Sequence, residues 1–175
     1  GVGALYISRQ AKIHPFLFGG MQERKRRAGT ENVAGIIGFA EAVQLAVEHL
    51  ETRVRSLQAI RLSFIAQLER LLGPENIHLN GHPRECLPHI ANISFPGTDT
   101  ETLLMNLDLE GIAASSGSAC TAGSLSISHV LLAMNLPEDL ARSAVRFSFG
   151  LGNTMEEAEY AAEKIATIVR RLRKK

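Results

Sequence analysis

Apolar residues recur at three- and four-residue intervals along two stretches of the chain, and between those stretches they alternate with polar ones. Leu57, Ile60, Phe64, Leu68 and Leu71 fall on one helical face, and Gly73-Pro74 ends that helix. Toward the C-terminus Ala158, Ala162, Ile165, Val169 and Leu172 form a second stripe. Thr154 and Glu157 stand at capping-box spacing before it, and Arg170 to Lys175 reads as a solvated tail that complements the helix dipole. A helix is also expected from Asn32, with Val33, Ile36, Ile37, Ala40, Val43 and Val47 along one face. Gly35 and Gly38 each cost it about 1 kcal/mol against alanine, so close packing on a neighbour is expected there.

The strand pattern is clearest where Val145, Phe147 and Phe149 alternate with Arg146 and Ser148. Ile77 to Leu79 and Ile90 to Phe95 read as strands separated by a turn around Asn80-Gly81. Pro96-Gly97 breaks the second, Thr98 to Leu109 reads as a helix, and Gly111 to Ala114 as a returning strand. Ser128 to Met134 is a short helix, and Val2 to Ile7 a short buried strand. Lys12 to Arg27 is loop-like, with Pro15, Gly19-Gly20 and a solvated cluster of Arg24, Lys25, Arg26 and Arg27. Helices alternating with strands make the class α/β, with an α+β arrangement in the C-terminal part.

Composition narrows this only slightly. At 175 residues, 45% hydrophobic and 21% charged, the chain has the balance of one globular domain with its own core. A net charge of +1 supplies no field for nucleic acid or a membrane surface, and no apolar run reaches spanning length. Two cysteines without a secretory segment read as reduced thiols, which sets the expected location as cytoplasmic. The chain opens at Gly1 inside an apolar run, GVGALYI, as expected of the C-terminal part of something longer.

Three polar features exceed what a core needs. Cys120 lies in SSGSACTAG, Ser115 to Gly123, where glycines and self-bonding hydroxyls disfavour regular structure and expose a thiol. The segment RRAGTEN, Arg26 to Asn32, precedes a helix, where Thr30 and free backbone N–H groups suit a phosphate, or where Thr30 or Asn32 is simply the N-cap. Arg146 lies opposite the phenylalanines, and its planar fork suits a carboxylate or a surface ion pair. His78, His82, Cys86 and His89 cluster in sequence, but Gly81, Pro83 and Pro88 interrupt them and no C-x-x-C accompanies them, which argues against zinc.

With these residues in view, the chain resembles a cysteine desulfurase of the NifS/IscS type, within the class-V aminotransferases of pyridoxal-phosphate fold type I. GVGALYI resembles the strand after the cofactor-binding lysine, and GGMQERKRRAGTEN the GGGQE-x-G-x-R-x-GTEN segment. NGHPRECLPHIANISFPG, SSGSACTAGSLSISHVL and VRFSFGLGNT resemble three further blocks in the same order, with Arg146 26 residues after Cys120.

The resemblance implies that Cys120 is the nucleophile that takes sulfur from L-cysteine as a persulfide, leaving L-alanine. It implies that Arg146 holds the substrate carboxylate and that Thr30 serves the phosphate of the pyridoxal 5'-phosphate bound by the partner subunit of a homodimer. The sulfur then passes to an iron–sulfur scaffold or another acceptor protein. No resident metal is implied, the Cys120 persulfide being at most a transient ligand to an iron–sulfur cluster. Residues 1–47 would be the remnant of a large cofactor-binding domain and 48–175 a small domain carrying the cysteine loop. The Schiff-base lysine, the stacking histidine and the ring-pairing aspartate are expected upstream of Gly1, so this stretch by itself is not expected to turn over.

Met21 and Lys25 stand where the family commonly has glycine, and Ser126-Ile127 replaces a usual Glu-Pro. A related selenocysteine lyase and a non-catalytic module that only docks sulfur acceptors are the alternatives. The cysteine at the centre of the small-residue loop favours catalysis over docking.

Overall fold

Ala91, Ile93 and Phe95 are fully buried while Asn92, between them, is not, so the apolar alternation of this strand faces a core on one side only. A computed structural model describes residues 1–116 and 127–174. In chain order its elements are α1 (Gln22–Lys25), α2 (Val33–Glu48), α3 (Leu50–Leu72), a 3-10 turn (Pro74–Asn76), β1 (His78–Leu79), β2 (Ile90–Ser94), α4 (Thr100–Leu109), α5 (His129–Ala133), α6 (Glu138–Arg142), β3 (Ala144–Ser148) and α7 (Met155–Leu172). They divide into two units, Gly1–Glu51 and Thr52–Lys175.

In the second unit β1, β2 and β3 form an antiparallel sheet in that order. Its core joins Ala91, Ile93, Val145 and Phe147 to Ile60, Phe64 and Leu68 of α3, Leu103 and Leu107 of α4, and Ala162, Ile165 and Val169 of α7. Phe64 sits between two aromatic rings, 4.9 Å from Phe147 and 5.4 Å from Phe149 between centroids. Gly73 adopts φ +90° at the end of α3, a conformation that glycine takes without strain. The Thr154–Glu157 capping box forms as expected.

Three features add to or depart from the sequence reading. Arg61 is buried within α3, where its Nε donates to the Ile90 carbonyl at 2.7 Å and ties the helix to the start of β2. The basic end of α7 keeps Arg170, Arg171 and Lys174 exposed, as expected of a solvated tail, and adds clamps onto backbone carbonyls. Arg170 donates to the Leu71 carbonyl, and Arg173 to the carbonyls of Pro96 at 2.9 Å and Asn76 at 2.7 Å. Residues 112–114 form no strand, and only Ser115 makes a bridge, to Arg146.

Asp99 caps α4, accepting from the Thr102 backbone N–H at 2.9 Å and its hydroxyl at 2.8 Å. That backbone bond is the main cause holding the Asp99 carboxyl below its ordinary value of 3.8. A carboxylate lowered on folding stabilises above its unfolded value, and the gain is lost as pH falls through the lowered one. Asp99→Ala is therefore expected to cost about 1 kcal/mol near neutral pH, and the deficit to begin shrinking as pH falls below about 4 and to go on shrinking through the lowered value. Urea melts of both proteins across that range check the sign.

In the first unit α2 buries no residue. Asn32 is its cap, accepting from the Gly35 N–H at 3.0 Å, and a Cβ on Gly35 would fall 2.5 Å from the Asn32 amide. The close approach at Gly35 is thus to its own cap, while nothing lies within 4 Å of a Cβ on Gly38. Residues 2–7 form no strand, and Val2 to Tyr6 are exposed. A strand exists only where a neighbour accepts its backbone bonds, and none of the described residues does so here. In α1, Glu23, Arg24 and Lys25 take φ of 48°, 57° and 64°, a left-handed turn rather than a helix. Glycine takes that region at far lower cost than the lysine at position 25.

Candidate active site on the open face of the sheet

Because Val145 and Phe147 turn into the core, Arg146 must project from the opposite face of β3. Three neighbours flank it in a row across the strands. Asn92 is its direct partner on β2. Asn80 continues β1 beside Asn92, its N–H donating to the Asn92 carbonyl at 2.8 Å. On the other side Ser115 and Arg146 exchange backbone bonds, Ser115 N–H to Arg146 carbonyl at 3.1 Å and the reverse at 2.7 Å.

The rest of this face is partly roofed. Leu131, Ala141 and Ala144 form a small apolar cluster with Ile127 and Leu136, seating α5 and α6 over the Ala144 end of β3. Ser94 donates to the Leu140 carbonyl at 2.7 Å, and the Thr100 hydroxyl to that of Arg142 at 2.7 Å, with the Ala144 carbonyl sharing the same proton at 3.1 Å. Arg146 is left half-buried at the edge of that roof. At the far end the Phe149 N–H donates to the His89 carbonyl at 2.8 Å, so the frame behind Arg146 is held on both sides.

Cys120 lies outside the described residues. In sequence it follows Ser115, the strand neighbour of Arg146, by five residues. Thr30 belongs to the first unit, exposed ahead of α2, and Asn32 rather than Thr30 caps that helix. The loop before it is closed by the Gly29 N–H donating to Gln22 Oε1 at 3.2 Å. His82, one of the four residues weighed for zinc, accepts at Nδ1 from the N–H groups of Arg84 at 3.2 Å and Glu85 at 2.7 Å, which organises a turn. Cys86 is free and exposed.

The profile of the class-V aminotransferases matches residues 1–160. The chain belongs to that family. A relative from Bacillus subtilis (strain 168), carrying the name IscS 1, is 50% identical over 173 residues, which are 98% of this chain and 45% of the relative. The cysteine desulfurase IscS of Dictyoglomus turgidum is 44% identical over 173 residues, covering 99% of this chain and 43% of its own length. Among solved structures, a NifS-like protein superposes with a TM-score of 0.81 at 33% identity, over 95% of this chain and 41% of the other. The chain therefore spans less than half the length of the relatives it matches.

Members of the family use pyridoxal phosphate. The residues present fit the phosphate end of that group. The Thr30 hydroxyl is exposed and makes no hydrogen bond among the described residues, and Arg24, Lys25, Arg26 and Arg27 are exposed nearby in sequence. An acceptor-rich dianion is matched by such donors and cations.

The sequence pattern picked out Arg146 and its face. It missed Asn80 and Asn92, although an asparagine at the outward position of the apolar strand IANIS was the available signal.

Proposed function

We propose that this chain works within a full-length, pyridoxal-phosphate-dependent cysteine desulfurase that converts L-cysteine to L-alanine and carries the sulfur as a persulfide on Cys120. The observation that carries this reading is the reciprocal bonding of Ser115 to Arg146, which starts the Cys120 segment directly beside an arginine whose fork suits a carboxylate. The names of the relatives support the same chemistry.

In this reading the Arg146 guanidinium donates two parallel bonds to the substrate carboxylate and fixes where the thiol end points. When bound, the cofactor supplies the electron sink that weakens the carbon–sulfur bond of the substrate. Cys120, as thiolate, attacks the substrate sulfur. The sulfur–sulfur bond forms as the carbon–sulfur bond breaks, its electron pair stays with carbon, and a proton completes alanine. The persulfide sulfur then passes to a thiol of an acceptor protein, such as an iron–sulfur scaffold. Thr30 serves the cofactor phosphate of the partner subunit in a homodimer, and the enzyme works in the cytoplasm, where its thiols stay reduced.

Arg146→Lys keeps the charge and loses the fork. In the full-length enzyme it is expected to raise the KM for L-cysteine roughly 10- to 100-fold, the value of a charge-assisted pair. An unchanged KM in a folded variant would remove Arg146 from the substrate site.

A further inference from the structure

The hydrogen bonds behind Arg146 have a polarity that chemistry alone fixes. The Ser94 hydroxyl lies 2.7 Å from the Leu140 carbonyl, which can only accept, so the single Ser94 proton is used there. At 2.8 Å from Asn80, Ser94 Oγ can then only accept, and the Asn80 atom facing it must be the amide nitrogen. That same nitrogen lies 2.7 Å from Asn92, so the Asn92 atom facing it is the amide oxygen. With its oxygen held toward β1, the amide of Asn92 turns its Nδ2 away from Asn80. None of the described residues accepts from that Nδ2.

A stability role does not account for this arrangement. Asn80 Oδ1 is buried without a hydrogen-bond partner, a cost of order 1–3 kcal/mol that an apolar pair at these positions would avoid. Asn92 stands directly across from Arg146 at adjacent-strand distance, where side chains on one face meet. The row therefore offers donor groups side by side, an amide N–H₂ and a guanidinium, and a carboxylate is the acceptor-only group that matches both.

We propose that Asn92 is a second carboxylate-binding residue of the substrate site, and that Asn80 is the positioning residue that sets its amide. The inference rests on the reading of Arg146 as the substrate's anchor and adds the group that fixes the carboxylate's rotation about the guanidinium. Amino-acid thiols would thereby be preferred over thiols lacking a carboxylate.

The test uses Asn92→Asp in the full-length enzyme. Aspartate still accepts from Asn80, so the frame is kept, but it turns an anionic oxygen toward the substrate. The expected result is a KM for L-cysteine raised at least about tenfold, exceeding any fall in kcat, with a parallel loss of inhibition by 3-mercaptopropionate. Asn92→Ala, which adds no charge, is expected to raise KM about threefold to tenfold, and Asn80→Ala by a smaller factor in the same direction. If Arg146→Lys raises KM while every folded Asn92 variant keeps the parent KM and inhibition, the assignment of Asn92 is overturned and that of Arg146 stands. If Arg146→Lys also leaves KM unchanged, both fall together.

Discussion

Replacing Cys120 with alanine in the full-length enzyme is expected to abolish alanine formation from L-cysteine, with a loss of at least about a thousandfold, because the proposed acceptor thiol is gone. Cys86 is the other cysteine of the chain, and it lies just ahead of Leu87-Pro88, outside the small-residue segment that holds Cys120. The removed group only accepts sulfur, so substrate binding through Arg146 should survive. The variant is expected to keep its cofactor absorbance and to bind 3-mercaptopropionate as the parent does. Turnover above a few per cent in a folded Cys120→Ala variant would place the acceptor thiol elsewhere.

The second large effect lies in the core. Phe64 is 1% exposed and its ring packs against Phe147 of β3 and Phe149 just past its end, which bracket Ser148 and follow Arg146 along the chain. Phe64→Ala is expected to cost about 3–5 kcal/mol, from lost burial and the cavity left behind. That is roughly two to three and a half powers of ten in the folding equilibrium. The loss falls on the α3 side of β3, so the registration of Arg146 on the open side should loosen with it. At a temperature where the variant stays folded, KM for L-cysteine is therefore expected to rise further than for a surface substitution such as Leu62→Ala. Equilibrium unfolding in urea measures the first effect and steady-state kinetics the second. A cost below about 1 kcal/mol would mean that α3 does not support the sheet as described.

These two predictions rest on features of differing visibility in the sequence. The face of β3 was legible because alternation is a local property, and Arg146 follows from Val145 and Phe147 alone. The α7 stripe and its capping box were legible for the same reason. The Asn80–Asn92–Ser94 chain was not, because it needs the register of β1 on β2, and twelve residues separate its two asparagines. Arg61 was hidden by its type: an arginine on a helix reads as solvated until a backbone carbonyl is found to hold it. The clamps at the basic end of α7 were not legible either, since the carbonyls that Arg173 holds are 77 and 97 residues away in sequence.

Elements that depend on neighbours fared worst. Val2 to Ile7 carries the composition of a strand, but composition supplies no partner, and the described residues leave its backbone unpaired. The five-residue α6 was unreadable for the opposite reason, being too short to show a period and fixed by the packing of Ala141 against Leu131 and Ala144. The Thr30 segment left a cap and a phosphate site open, and Asn32 takes the cap, so the Thr30 hydroxyl stays available.

In the proposed reaction, sulfur leaves L-cysteine beside Arg146 and is received by Cys120. Its most direct test is mass mapping of the full-length enzyme after one turnover with L-cysteine labelled at sulfur, without reductant and with alkylation of exposed persulfides. One labelled sulfur is expected on the peptide that contains Cys120, in step with one alanine released per active site. Label on the Cys86 peptide, or alanine released without label on Cys120, would contradict it.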